Sequence, residues 1–139
     1  MKKSYLIILF SFCISVCNGQ LKFPVTELIE KGTEMACVAF NPDGRILASA
    51  NNKGNIYLWD VESKTLVNTL PVKQTKVLSI AFSHDGNFLA VANNNHTITI
   101  WSARHGVEVK TLQGHNETIT KIAFSADNKI LASASADHT

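Results

Sequence analysis

Ser133, Asp137 and His138 are the residue types of a hydrolase, in which an imidazole oriented by a carboxylate activates a hydroxyl. Their spacing argues against that chemistry. Asp137 and His138 are adjacent, and Asp137 falls on a position whose role is to shape a turn. The five histidines, at 84, 96, 105, 115 and 138, show no H-x-x-x-H spacing, and C-x-x-C is absent, so no metal site is expected. Nor is there a G-x-x-x-x-G-K-[ST] or G-x-G-x-x-G run to cradle a phosphate. No cofactor is expected either. Trp59 and Trp101 have the faces to stack on a ligand, but in strands they read as packing between sheets. These residues point to structure and recognition.

What must position them is a repeat of 42 residues. Phe40, Phe82 and Phe124 recur at that interval, as do Asp43, Asp85 and Asp127, and Leu47, Leu89 and Leu131. Residues 33–70 laid over 75–112 without a gap give 15 identities in 38 positions, and 75–97 over 117–139 give 10 in 23. Each copy has four strand-sized pieces. In the second these are VLSIAF, NFLAVA, TITIW and VEVKTL, separated by polar turns. Ile98 and Ile100 alternate with Thr97, Thr99 and Trp101, which is the period of a half-buried strand. In the first copy Pro42 presets one dihedral of its turn and Gly44 accepts the positive φ that follows. A period in the low forties with such contents predicts propeller blades. The expected fold is all-β, a partial β-propeller of four-stranded antiparallel blades.

The segments AFNPDGRILASA…IYLWD, AFSHDGNFLAVA…ITIW and GHNETITKIAFSADNKILASASADHT resemble repeats of the WD (Trp-Asp) family of β-propellers, from about residue 23 to the end. The resemblance implies that each repeat supplies the outermost strand of one blade and the inner three of the next. It also implies a structural tetrad per blade. A His before the innermost strand, a Ser or Thr on the second, an Asp in the following turn and a Trp on the third are linked by hydrogen bonds. The third copy matches through His115, Ser133 and Asp137. The first has Lys31, Ser49, Lys53 and Trp59 at those positions, and the second Lys73, Val91, Asn95 and Trp101. Two of the three tetrads are broken, and only Trp59-Asp60 spells the signature pair.

Phe23–Leu28 shares the alternation and closing Leu of the last strand in each full copy, and reads as an outermost strand that closes a ring. With about two and a half blades against the ~4–8 of a closed propeller, the chain is expected to need further blades from downstream sequence. Assembly of several short chains into one ring is the alternative. Residues 1–19 read as a secretory signal peptide. Lys2-Lys3 precedes the apolar run Tyr5–Val16, which is shorter than the about 20 residues of a membrane span, and Cys17-Asn18-Gly19 follows. Cleavage there would leave 20–139 as the mature chain, with repeats at about 29–70, 71–112 and 113–139. The rival readings are a lipoprotein signal acylated at Cys17 and an uncleaved anchor or false start.

Without Lys2 and Lys3 the 13 basic residues fall to 11, equal to the 11 acidic ones. That balance offers no electrostatic footprint for nucleic acid or an anionic membrane. Cys37 would remain alone, expected as a buried thiol. Asn95-His96-Thr97 and Asn116-Glu117-Thr118 have the form of glycosylation sequons, a form that Asn-rich loops also produce by chance. What is left is a surface for a protein or peptide partner. The candidate loop residues are Asn51, Asn52, Lys53, Lys73, Gln74, Asn93, Asn94, Asn95, His96, His115 and Asn116. The expected function is a non-enzymatic, exported interaction scaffold. The alternative is the recognition arm of an exported enzyme whose catalytic domain lies past residue 139.

Overall fold

The computed structural model describes residues 6–9, 25–28, 34–72 and 76–139, and among these every regular element is a strand. The chain divides into two units, Met1–Met35 and Ala36–Thr139. In the first, β1 (Leu6–Leu9) pairs antiparallel with β2 (Val25–Leu28), Leu6 opposite Leu28 and Leu9 opposite Val25. The strand expected over Phe23–Leu28 is thus present over its last four residues. Its partner here is β1, which lies in the apolar run read as a leader. A backbone segment of Leu and Ile has strand propensity and needs hydrogen-bond partners wherever it lies.

In the second unit, β3 (Met35–Phe40), β4 (Ile46–Asn51), β5 (Asn55–Asp60) and β6 (Thr65–Pro71) form one four-stranded sheet in sequence order. The next four, β7 (Val77–Phe82), β8 (Phe88–Asn93), β9 (Ile98–Ser102) and β10 (Val107–Leu112), repeat it. A final pair, β11 (Ile119–Phe124) and β12 (Leu131–Ser135), begins a third. These are two complete antiparallel blades and half of another, as the repeat predicts.

The turns repeat with the strands. Gly44, Gly86 and Asn128 each donate a backbone N–H at 2.9 Å to the residue three earlier, and all three have φ between +60° and +72°. Glycine meets that conformation freely, and Asn is the side chain that tolerates it best. Asp43, Asp85 and Asp127 each accept from the backbone N–H two residues on, at 2.8–3.1 Å. The hydrogen bonds to Asp85 and Asp127, led by the hydroxyls of Ser83 and Ser125, hold both carboxyls below their ordinary value. Their role is to fix the turn.

Packing departs from the half-buried pattern that alternation suggested. In β8 every residue from Leu89 to Asn93 is buried. Leu89, Val91 and Trp101 pack with Ala48, Ala50, Ile56 and Leu58 of the first blade. On the opposite face, Ala90, Ala92 and Ile98 pack with Ile119 and Ile122 of the third. The second blade is therefore covered on both sides. Small Ala on one face and branched residues on the other let the sheets approach at interior density. Val38, Ile80 and Ile122 share one register, yet are 47%, 8% and 3% exposed, because only the latter two lie against a preceding blade. Cys37 is half-buried rather than buried. Desolvation pushes its thiol up to about 11, against the opposing charge of Lys121.

Candidate partner-binding rim

The rim that carries the loops before the innermost strands and after the second strands is built differently in each repeat. In the third, the loop before β11 presents His115. Its Nδ1 lies 2.9 Å from Oδ2 of Asp137, and its Nε2 lies 2.7 Å from Oγ of Ser133. Asp137 also accepts the backbone N–H of Asn116 at 2.9 Å and the hydroxyl of Thr139 at 2.6 Å. These bonds, that of Thr139 first, hold its carboxyl well below the ordinary range despite partial desolvation. His115 and Asp137 are largely enclosed, with side chains 17% and 12% exposed.

Those distances are also those of a hydrolytic triad. The difference lies in the hydroxyl. Ser133 sits within a paired strand, opposite Ile122. Its counterpart in the first repeat, Ser49, accepts the indole N–H of Trp59 at 2.9 Å. The same register position thus meets a His in the third repeat and a Trp in the first. His138, the other residue of the hydrolase set, lies in the turn with φ +67°.

The second repeat has Val91 at the hydroxyl position, so Trp101 turns to its own strand and donates to Thr99 Oγ1 at 3.1 Å. Asn93 donates to Thr99 and Thr97, each at 3.3 Å, and Thr97 donates to Asn95 at 2.8 Å. The sequence pattern missed Thr99; its placement two residues before Trp101, and so on the same face of the strand, was the available signal.

Two candidate contact residues must be withdrawn. Asn51 is fully buried, donating to Tyr57 at 3.2 Å and accepting the backbone N–H groups of Lys53 and Asn55 at 3.0 Å. Asn93, at the same register, is 1% exposed. Both end the second strand and turn inward, since a carboxamide can satisfy the turn that follows. Asn52 and His96 are partly enclosed, while Lys53, Asn94, Asn95 and Asn116 are exposed. His115 is occupied by its own network. Lys31, Lys73 and Gln74 lie outside the described residues.

The exposed loops enclose a cleft of about 580 Å³ between the second and third repeats, lined by Asn95, His96, Thr97, Gln113, Gly114, His115 and Asn116. A smaller cavity of about 180 Å³ shares Asn95, Thr97 and Gln113 with it and continues inward to Trp101 and Val72. Carboxamides, hydroxyls and imidazoles at the cleft offer both donors and acceptors, without net charge at neutral imidazole. That suits the backbone and polar side chains of a peptide. No group of three or more metal-ligating side chains occurs among the described residues.

Comparison with known proteins agrees with this architecture. The model of the WD domain, G-beta repeat, matches residues 64–102 and 106–139, about half of the chain. The model of the anaphase-promoting complex subunit 4 WD40 domain matches residues 14–80. Among solved structures, the RRP9 WD40 repeats align with a TM-score of 0.75 and 29% identity, and U3-55K with 0.75 and 28%. Each alignment covers 79% of this chain but only 35% and 36% of those chains, so this chain spans about a third of their length. Protein LST8 homolog of Drosophila melanogaster is 63% identical over 27 residues, 19% of this chain and 9% of that protein. Repeats of this kind generally serve as scaffolds for protein interaction. With its period, blade topology and model match in agreement, the chain belongs to the WD-repeat (G-beta repeat) family of β-propellers.

Proposed function

We propose that this chain contributes to an exported, non-enzymatic scaffold that binds a protein or peptide partner through the rim between its second and third repeats. The cleft lined by Asn95, His96 and Asn116 carries the reading. It combines exposed polar side chains with a framework buried on both faces, so the turns that carry the recognition groups are anchored on packed strands. The His115–Asp137–Ser133 set serves stability in this reading, and no hydroxyl is offered as a nucleophile. Export rests on the order Lys2-Lys3, apolar run, Gly19.

Affinity capture from the compartment in which the protein resides tests the rim. A specific partner retained by the wild type should be lost with Asn95→Ala/Asn116→Ala and kept with Val67→Ala on the outer strand. Equal retention by both variants would move the binding surface elsewhere. For export, mass spectrometry should find an N-terminus at Gln20. Intact Met1 in the soluble cytoplasm would count decisively against it.

A further inference from the structure

The pairing of β2 can be compared position by position with that of the outermost strands in the two full blades. Leu28, Glu27 and Thr26 of β2 lie opposite Leu6, Ile7 and Ile8 of β1. One period on, Leu70, Thr69 and Asn68 of β6 lie opposite Ile56, Tyr57 and Leu58. Two periods on, Leu112, Thr111 and Lys110 of β10 lie opposite Ile98, Thr99 and Ile100. These three positions of β2, covered by β1, are thus the positions that a blade gives to its third strand. Leu6 and Ile8 also put branched apolar residues where those strands have Ile56 and Leu58, or Ile98 and Ile100. The ladders part at the next position. Val67 and Val109 are passed over at a register shift in each blade, whereas their counterpart Val25 pairs with Leu9.

We propose that β1 is a placeholder, which occupies Val25–Leu28 in the register of a blade's third strand and keeps it out of a blade until displaced. Docking through the other edge of β2 does not avoid the conflict. Both complete blades end at four strands, and a ribbon of β1 and β2 would add a fifth. The arrangement is suited to release. A two-stranded ribbon is at best marginally stable in water, so it persists chiefly because one chain keeps β1 near β2. Cys17-Asn18-Gly19, the expected cleavage point, lies between them in sequence. A cut there leaves β1 without a tether and frees β2 for a third strand from another repeat. That the cell makes this cut rests on the export reading above; the register match does not.

Hydrogen exchange on the intact chain tests the placeholder. Amides of Val25–Leu28 should exchange about tenfold more slowly in the wild type than in Ile7→Pro, which removes an N–H from β1 and disfavours the strand. A protease site introduced at Gly19 should give the same loss once it is cut and the leader peptide is diluted away. Amides of β4 and β8 should stay protected throughout, which separates release of β2 from unfolding. Equal exchange in wild type and Ile7→Pro, or protection that survives the cut, would overturn the placeholder. If the engineered cut frees β2 while the protein made in its own cells retains Met1, the placeholder stands and release by export falls.

Discussion

The second and third repeats share one backbone and solve the same polar problem differently. In the third, a long-range latch ties the loop at His115 to the turn at Asp137 and the strand at Ser133. The second has no such latch among its described residues. The side-chain bonds described there link Asn93, Thr97, Asn95, Thr99 and Trp101. The incoming chain is clasped instead by Asn94, whose backbone N–H reaches the Lys76 carbonyl at 2.9 Å and whose side chain accepts the Lys76 N–H at 3.0 Å. Thr118 and Ala136 make the equivalent backbone bond in the third repeat. The lesson is that a blade buried on both faces can exchange its long-range polar latch for a methyl group at Val91 and a local network. Apolar contact then carries what the latch carried.

The sharpest way to break that account is to remove the apolar anchor. Trp101 is 5% exposed and belongs to the core shared by the first two blades. Trp101→Ala should cost about 3–5 kcal/mol in urea unfolding. Trp59, half-buried and outside that core, should cost clearly less on the same substitution, chiefly its bond to Ser49 and its contact with Tyr57. Equal losses would mean that the second blade is no more dependent on apolar packing than the first.

A smaller effect probes how closely the blades fit. Gly106 has φ +66°, and a Cβ there would collide with the side-chain amide of Asn68 and press on Leu70 in the neighbouring blade. Gly44 has φ +72° with nothing within 4 Å of a Cβ. Both alanine variants should lose about 1–2 kcal/mol from the left-handed backbone. Gly106→Ala should lose more by the cost of moving Asn68. If the two match, Asn68 yields freely and the contact between blades is loose.

Much of this was legible in the chain. The 42-residue period located every strand of the two full blades to within about one residue, because turns and apolar positions repeat together. His115, Ser133 and Asp137 were assigned by register and lie within hydrogen-bond distance. What alternation could not reveal was the second covered face, since Ala90 and Ala92 look neutral until another blade lies on them. Asn51 and Asn93 looked like loop residues because composition does not say which way a carboxamide turns. The switch of Trp101 to Thr99 follows from the loss of a hydroxyl at Val91, a consequence that needs side-chain geometry. The pairing of Val25–Leu28 with Leu6–Leu9 lay outside any repeat, so register gave no warning of it.

The two networks also differ in what their turn residues hold. Asp137 ties the loop at His115 and Asn116 to the turn at Thr139. Asn95, at the same register, accepts only the nearby Thr97 hydroxyl among the bonds described. Asp137→Ala should therefore lower the melting temperature by several degrees, and Asn95→Ala by less than half as much. Equal shifts would show that the His115 latch adds nothing to the turn itself.

Acid gives the finest comparison. A carboxyl whose folded pKa is depressed adds stability that is complete above its unfolded value and is lost as pH falls through the folded one. Asp137 is held well below the ordinary 3.8 by Thr139, Asn116 and His115, while its counterpart Asn95 does not titrate. Asp60, Asp85 and Asp127 are lowered in the same direction by their turn bonds. Stability should thus decline below about pH 5. The contributions of Asp85 and Asp127 are small, because both carboxyls are exposed and screened by solvent. Asp137→Asn should flatten the decline between about pH 4 and pH 2, by more than Asp85→Asn does, since Asp137 is the furthest displaced. Urea midpoints measured across that range decide it. A curve for Asp137→Asn parallel to the wild type would show that the third repeat's latch does not depend on its charge, and the contrast with the second repeat would reduce to packing alone.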